Sequence, residues 1–427
     1  MKRLVFLLPL LSLVFFPGCG SQDPEKGSSE PDAREIAFFT MQLRPSFDDY
    51  FHDLFDEFEK SHPGVKIKWL DYPAQDYDTK LLTSFMGSHP PDVINLTPQM
   101  LPRFVSRNIL LNLDETLPPE TMGSYFPNIL KDACQIRGTT YALPWYLATA
   151  VTMCNMEIFH EAGLTEEDIP KTYQEMREIA LVIKEKTDKF AFFPIYTETG
   201  SLRGYLEGSG VPTLDEEETR ALFNTPRGIE VLRFWSDFYK EGLAPSEALT
   251  AMHRRPIELY KSGRLAIFHS GPQFLKHVKS DSPDVYQNTV VRPCLHWEGH
   301  EVYSIDVHNI VVSSKSKYPG LASEFAAFVT NAQNQLEFCR LTTIIPSVIS
   351  ASKDPYFTQV EETPEGLARK IAAEQIAGGN VSRTPLKNSG KLYRALDDVM
   401  EKVCLGDMTP EEGLKSAEEK WNEILQD

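Results

Sequence analysis

Apolar residues recur along this chain with two alternating periods, one of two residues and one near 3.6. EIAFFT at 35–40 reads as a short apolar strand. Ser46 then predicts a helix cap, with Asp49 three residues later as its capping-box partner. Phe47, Phe51, Leu54, Phe55 and Phe58 follow at helical spacing until Pro63-Gly64 stops the run. VKIKWL at 65–70 alternates as a strand with one covered face should. A second helical stretch reaches Gly87, and PDVINL at 91–96 is the third strand. This β-α-β-α-β order opens a doubly wound α/β sheet.

Later helix starts are equally legible. Thr172 with Glu175 forms a capping box ahead of Met176, Ile179 and Ile183. Thr225-Pro226 opens another helix with proline at its first position, and Thr409-Pro410 opens the last. RLAIF (264–268), TVVRPCLHW (289–297) and HNIVVSS (308–314) read as strands. The pattern predicts an α/β fold with more helix than strand, in two lobes with a helical C-terminus.

The N-terminus changes the picture. MKRLVFLLPLLSLVFFPGC has two cations, an apolar run from Leu4 to Phe16, then Pro17-Gly18-Cys19. That is an export signal, too short for a comfortable membrane span. A cysteine directly after the run resembles the bacterial lipobox, although Phe16 and Pro17 depart from the usual leucine and small residue. The expectation is a signal peptide over 1–18, lipidation at Cys19 and a polar tether over 19–34. An ordinary signal peptide with an incidental cysteine is the alternative.

With 427 residues the chain is long enough for two sizeable cores. Its 43 lysines and arginines against 61 acidic residues give a net charge of −18. Such acidity opposes nucleic-acid binding, which needs cations to replace phosphate counterions. It also opposes adsorption on anionic lipid. Five cysteines remain after the leader, scattered and without CxxC, so no disulfide framework is expected. Cys134 and Cys154 could pair, or all five could be small buried hydrophobes.

Several segments together resemble one family. They are FDEFEKSHPGVKIKW (55–69), PPDVINL (90–96), NILLNLDETL (108–117) and GTTYALPWYLATAVTMCNMEIFHEAGL (138–164). PKTYQEMREIALVIKEKT (170–187), LYKSGRLAIFHSGPQFL (259–275), VVSSKSKYPGLASEFAAFVTNAQNQLEF (311–338) and GDMTPEEGLKSAEEKWNEIL (406–425) continue in order. They resemble the extracellular solute-binding proteins of ABC importers, especially the group related to maltose-binding protein. The resemblance implies a two-lobed periplasmic-binding-protein fold of type II that closes on a ligand by hinge motion. The family layout places crossings near Thr149–Thr152, Ser304–His308 and Ile344–Ser347. It divides the chain into an N-lobe of 35–150 plus 305–345 and a C-lobe of 151–304 plus 346–427.

A sugar site needs flat aromatic faces and planar or charged groups for hydroxyls. Loops after strand ends supply Gln42 and Arg44, then Thr97 and Gln99. The resemblance puts Trp145 and Tyr146 at the ligand-facing turn before the first crossing. It also places Arg383, in VSRTPL, where relatives reach the ligand, and Glu198 follows a C-lobe strand. Asp306 and His308 fall at the second crossing. In the maltose-binding relatives Gly-Pro is followed by a stacking tryptophan; here Gly271-Pro272 is followed by Gln273. That departure weakens the sugar assignment or points to a smaller or more polar solute.

Competing chemistry finds little support. His296, His300, Asp306 and His308 are dense enough to suggest a metal, but Glu298-Gly299 reads as a hairpin turn between the first two, so no metal or cofactor is expected. Ser314-Lys315-Ser316-Lys317 fits SxxK, yet the accompanying motifs of an acyl-transfer enzyme stand in the wrong order. The expectation is a monomeric, lipid-anchored binding protein at the outer face of the cytoplasmic membrane. It captures a carbohydrate and delivers it to an ABC permease and its ATPase. A polyol phosphate held by Arg44 and Arg383, or a surface enzyme, are the alternatives.

Overall fold

The computed structural model describes residues 34–426 apart from 88–89, 199, 251–253, 360 and 382–387. The leader, Cys19, the tether and Arg383 therefore lie outside the described residues.

Twelve strands are described: β1 (Arg34–Met41), β2 (Val65–Tyr72), β3 (Val93–Leu96), β4 (Gln135–Ile136), β5 (Thr139–Thr140), β6 (Ala142–Ala148), β7 (Val151–Asn155), β8 (Phe190–Phe192), β9 (Leu265–Ser270), β10 (Thr289–Arg292), β11 (Asp306–Val312) and β12 (Ile345–Pro346). They form a six-stranded sheet in the order β12-β6-β11-β3-β1-β2 and a four-stranded sheet β10-β7-β9-β8, with β4-β5 as a small hairpin.

The six-stranded sheet is covered on both faces, which explains its unbroken apolar runs. Ile36 and Phe38 of β1 join a cluster under helix Asp48–Ser61, through Phe51, Leu54, Phe55 and Phe58. Phe39 turns the other way, toward Tyr77, Leu81 and Phe85 of helix Ala74–Met86. The first helix begins at Asp48 with Phe47 at its cap position and no side-chain cap, so the expected Ser46 box is absent. Asp71 does the tethering instead, accepting from the N–H groups of Leu43 and Arg44 and from Thr40 Oγ1. The boxes at Thr172–Glu175 and the cap at Thr225 form as the sequence predicts.

A separate core surrounds the four-stranded sheet, with Trp235 and Trp421 at zero exposure. Helices Tyr173–Lys186, Pro226–Lys240, Ser389–Leu405 and Pro410–Gln426 contribute its buried stripes. TVVRPCLHW is a strand only over Thr289–Arg292. Among the described residues all five cysteines are free and buried, so Cys134 and Cys154 are unpaired hydrophobes.

The chain passes between the sheets at Thr149–Ala150, where β6 gives way to β7. It returns ahead of Asp306, with Ser304 bridged to Asn380. The third passage differs from expectation. Ile345–Pro346 stays in the six-stranded sheet, pairing with Leu147 and Tyr146. The chain stays with that sheet's core at Phe357 and again at Val381, and joins the other core only at Leu392. Between them helix Pro364–Ala377 touches both, with Ala368 and Ile371 in the core of the four-stranded sheet and Ala372 and Ile376 in that of the six-stranded one.

Candidate ligand cleft

The strand ends determine which residues meet. β6 runs parallel to β3 and antiparallel to β11, so Ala148, Asp306 and the residue after Leu96 share one edge of the six-stranded sheet. Across the two-residue crossing, Val151 pairs with Ser270, which leads into Gly271 and Gln273. The structure thus brings Thr97, Tyr146, Asp306 and His308 together on one edge, with Gln273 on the facing edge.

A β-bulge shapes this floor. His308 pairs with Tyr146 but Asn309 pairs with Pro144, leaving Trp145 as the extra residue. Tyr146 stacks on His308 with ring centroids 4.5 Å apart and planes 13° apart. Burial lowers the His308 pKa to about 4, so its ring is neutral at neutral pH. Asp306 is exposed, and its carboxylate makes no hydrogen bond or ion pair with the described residues, while burial by its surroundings raises its carboxyl pKa. Strand alternation turns Asp306 and His308 away from Ile305 and Val307, which enter the core beside Ala133 and Cys134.

Trp145 corrects the expectation of a ligand platform. It has no exposure and stacks on Phe338 at 5.1 Å and 8°, because the bulge turns it into the aromatic nest under the sheet. Arg44 is exposed, and its guanidinium pairs with Asp48 at 2.9 Å and lies 4.7 Å over the Trp69 ring. Gln42 is exposed at the end of β1 with a left-handed backbone, φ 57°. Gln99 is exposed and faces the start of helix Ser389–Leu405. Gln273 is exposed but folds its amide back over Gly271. Glu198 is half-buried, its carbonyl accepting from Ser201 Oγ at 2.7 Å.

Three connected chambers of about 130, 390 and 520 Å³ run from the crossing residues Ala150 and Ser304 toward Lys131 and Asp132, sharing walls through Glu207 and Asn380 and through Glu216 and Glu218. Much of their charge is already engaged. Arg203 Nε donates to Glu207 at 2.7 Å, Thr213 Oγ1 donates to the same oxygen at 2.7 Å, and Arg203 Nη1 donates to Tyr393 at 2.8 Å. On the Asp306 side an unengaged carboxylate and a flat stacked ring pair stand at the crossing.

The sequence missed Asn95, although a lone amide inside the apolar VINL is a visible signal. The expected turn at Glu298-Gly299 forms, with Trp297 bridging to His300. Among the described residues no group of three or more His, Cys, Asp or Glu is placed to hold a metal. No described helix is long and apolar enough to cross a membrane.

Comparisons with known proteins agree with this architecture. The family model described as bacterial extracellular solute-binding protein matches residues 44–336. A galactooligosaccharide-binding protein of Bacillus subtilis is 21% identical over 427 residues, covering 98% of this chain and 96% of the relative. An sn-glycerol-3-phosphate-binding periplasmic protein of Pectobacterium atrosepticum is 22% identical, covering 88% and 87%. Among solved structures, a periplasmic-binding protein of Synechococcus sp. MITs9220 has a TM-score of 0.81 at 29% identity, covering 92% of this chain and 99% of that one. A cyclic alpha-maltosyl-1,6-maltose binding protein of Arthrobacter globiformis has 0.80 at 21%, with the same coverage.

Proposed function

The chain belongs to the bacterial extracellular solute-binding proteins, and we propose that it captures a carbohydrate for an ABC importer. The solute enters between the two lobes, the lobes close by hinge motion, and the loaded protein delivers it to a membrane permease. The observation that carries this reading is the floor at the crossing. There Tyr146 and His308 offer a flat surface beside Asp306, a carboxylate with no bond to the described residues. Aromatic faces and carboxylates are what ring C–H groups and hydroxyls require. Relatives named for galactooligosaccharides, diacetylchitobiose and arabinooligosaccharides support the ligand class.

We take the protein to perform no chemistry of its own, to act as a monomer and to be held at the membrane by a lipid on Cys19. Replacing Cys19 should then move it from the membrane fraction to the soluble fraction. The lobes follow the two sheets, with the third boundary between Val381 and Leu392 rather than at Ile345. A polyol phosphate is the second reading, supported by the glycerol-phosphate-binding relative. Against it, Arg44 is engaged by Asp48.

The test is a thermal-shift screen of the purified protein against mono-, di- and oligosaccharides, polyols and polyol phosphates. A ligand at a hundred times its Kd stabilises by about 2.7 kcal/mol, a shift of a few degrees. Shifts by sugars are expected. A response to polyol phosphates alone would transfer the assignment to the second reading.

A further inference from the structure

We propose that the cleft floor selects its sugar by charge: Asp306 receives a hydroxyl pair or an ammonium group, and Asn95 fixes His308 as the Nε2–H tautomer, so an anionic sugar is rejected at this position. This rests on the carbohydrate reading above and names which carbohydrates the site accepts.

The tautomer follows from hydrogen-bond accounting. Asn95 is fully buried on β3. Its Nδ2 donates to the Asn309 carbonyl at 3.2 Å and faces His308 Nδ1 at 3.5 Å. Flipping the amide would set its oxygen against the Asn309 carbonyl oxygen, two acceptors with no proton between them. The orientation is therefore fixed, although it leaves Asn95 Oδ1 buried without a partner. A donor opposite Nδ1 requires that nitrogen to be the acceptor, and a neutral imidazole then carries its proton on Nε2. Nε2 has no partner among the described residues and is not one of the buried unpaired atoms, so its N–H reaches the cleft. The stack on Tyr146 holds the ring plane in place.

Asp306 stands two residues away on the same strand face and accepts nothing from the described residues. A carboxylate here takes donors, and a second anion brought beside it meets charge repulsion. The floor therefore combines one acceptor group and one neutral donor. That pairing suits a ring bearing hydroxyls, and an amine at the Asp306 position is accepted.

Two measurements test this. Histidine ¹⁵N NMR of the purified protein at neutral pH, with His308 assigned through His308→Gln, should show Nδ1 unprotonated and Nε2 protonated. The reverse tautomer or an imidazolium overturns the Asn95 role. The second measurement is titration with neutral disaccharides, their glucosamine counterparts, and their uronate or phosphate counterparts. Neutral and aminated sugars should bind at least about tenfold more tightly than the matched anion. Asp306→Asn should erase that difference while leaving the His308 spectrum unchanged. Equal binding of neutral and anionic sugars, or a ratio unmoved in Asp306→Asn, overturns the selection alone. If no sugar of any charge binds, the carbohydrate reading falls and the charge selection falls with it.

Discussion

Gln375 holds the carbonyl of Ala150, the residue at which the chain passes between lobes, through a 2.8 Å hydrogen bond from its Nε2. Its Oε1 accepts from the Cys294 backbone N–H at 2.7 Å, so one buried amide joins the outgoing and returning segments to helix Pro364–Ala377. The Cys294 thiol donates to the same Ala150 carbonyl at 2.8 Å, and Thr149 Oγ1 donates to the Ser304 carbonyl at 3.0 Å.

Removing that amide leaves a buried N–H unpaired, which costs about 1–3 kcal/mol, and weakens the hold on a buried carbonyl. Gln375→Leu should lower Tm by several degrees and also change the distribution of lobe separations in solution scattering. A lower Tm with an unchanged scattering profile, with and without sugar, would reduce Gln375 to an ordinary core residue.

Trp145 fills the aromatic nest of Phe51, Tyr146 and Phe338. Trp145→Ala should destabilise the protein by roughly 3–5 kcal/mol, as large-to-small changes in closed cores do. Trp145→Phe keeps most of the bulk and should bind sugar within twofold of the parent. A large affinity loss in that folded variant would return Trp145 to the ligand contacts.

The contrast between Trp145 and Tyr146 shows what the sequence carries. Helices were legible because caps and 3.6-residue stripes are local, as at Thr172–Glu175 and Pro226–Lys240. The meeting of Asp306, His308 and Tyr146 at the second crossing was legible too. The bulge that exchanges the roles of two adjacent aromatics was not, because it depends on the register of β11 against β6, residues far apart in sequence. The late third crossing was hidden for a similar reason. A helix with one stripe in each of two cores shows no single clean apolar face.

Arg44 is committed to Asp48 and to the Trp69 ring, so Arg44→Ala should leave sugar affinity within about twofold. An exposed pair of this kind contributes little to stability. Asp71→Asn should do more, because Asp71 ties Leu43, Arg44 and Thr40 at the loop that carries Gln42. Calorimetric titration of both variants separates these roles. A tenfold loss in Arg44→Ala would put the guanidinium back among the ligand contacts.

Acid should weaken the fold through two histidines. Burial lowers both His269 and His308 from the ordinary 6.5 to about 4. Between those values the unfolded chain binds more protons than the folded one, so stability falls as pH drops. Their contribution is complete above about 6.5, is lost through the window, and levels off below about 4; each is worth on the order of 3 kcal/mol. Asp397 acts in the opposite sense. Burial raises it to about 6, so the stability it lends at low pH is lost as pH rises through that value. His269→Gln should therefore flatten the acid limb of a Tm-against-pH curve, whereas Asp397→Asn should raise Tm at pH 7 and change little at pH 4. An acid limb that keeps its slope in His269→Gln would mean that this ring titrates alike in the folded and unfolded chain.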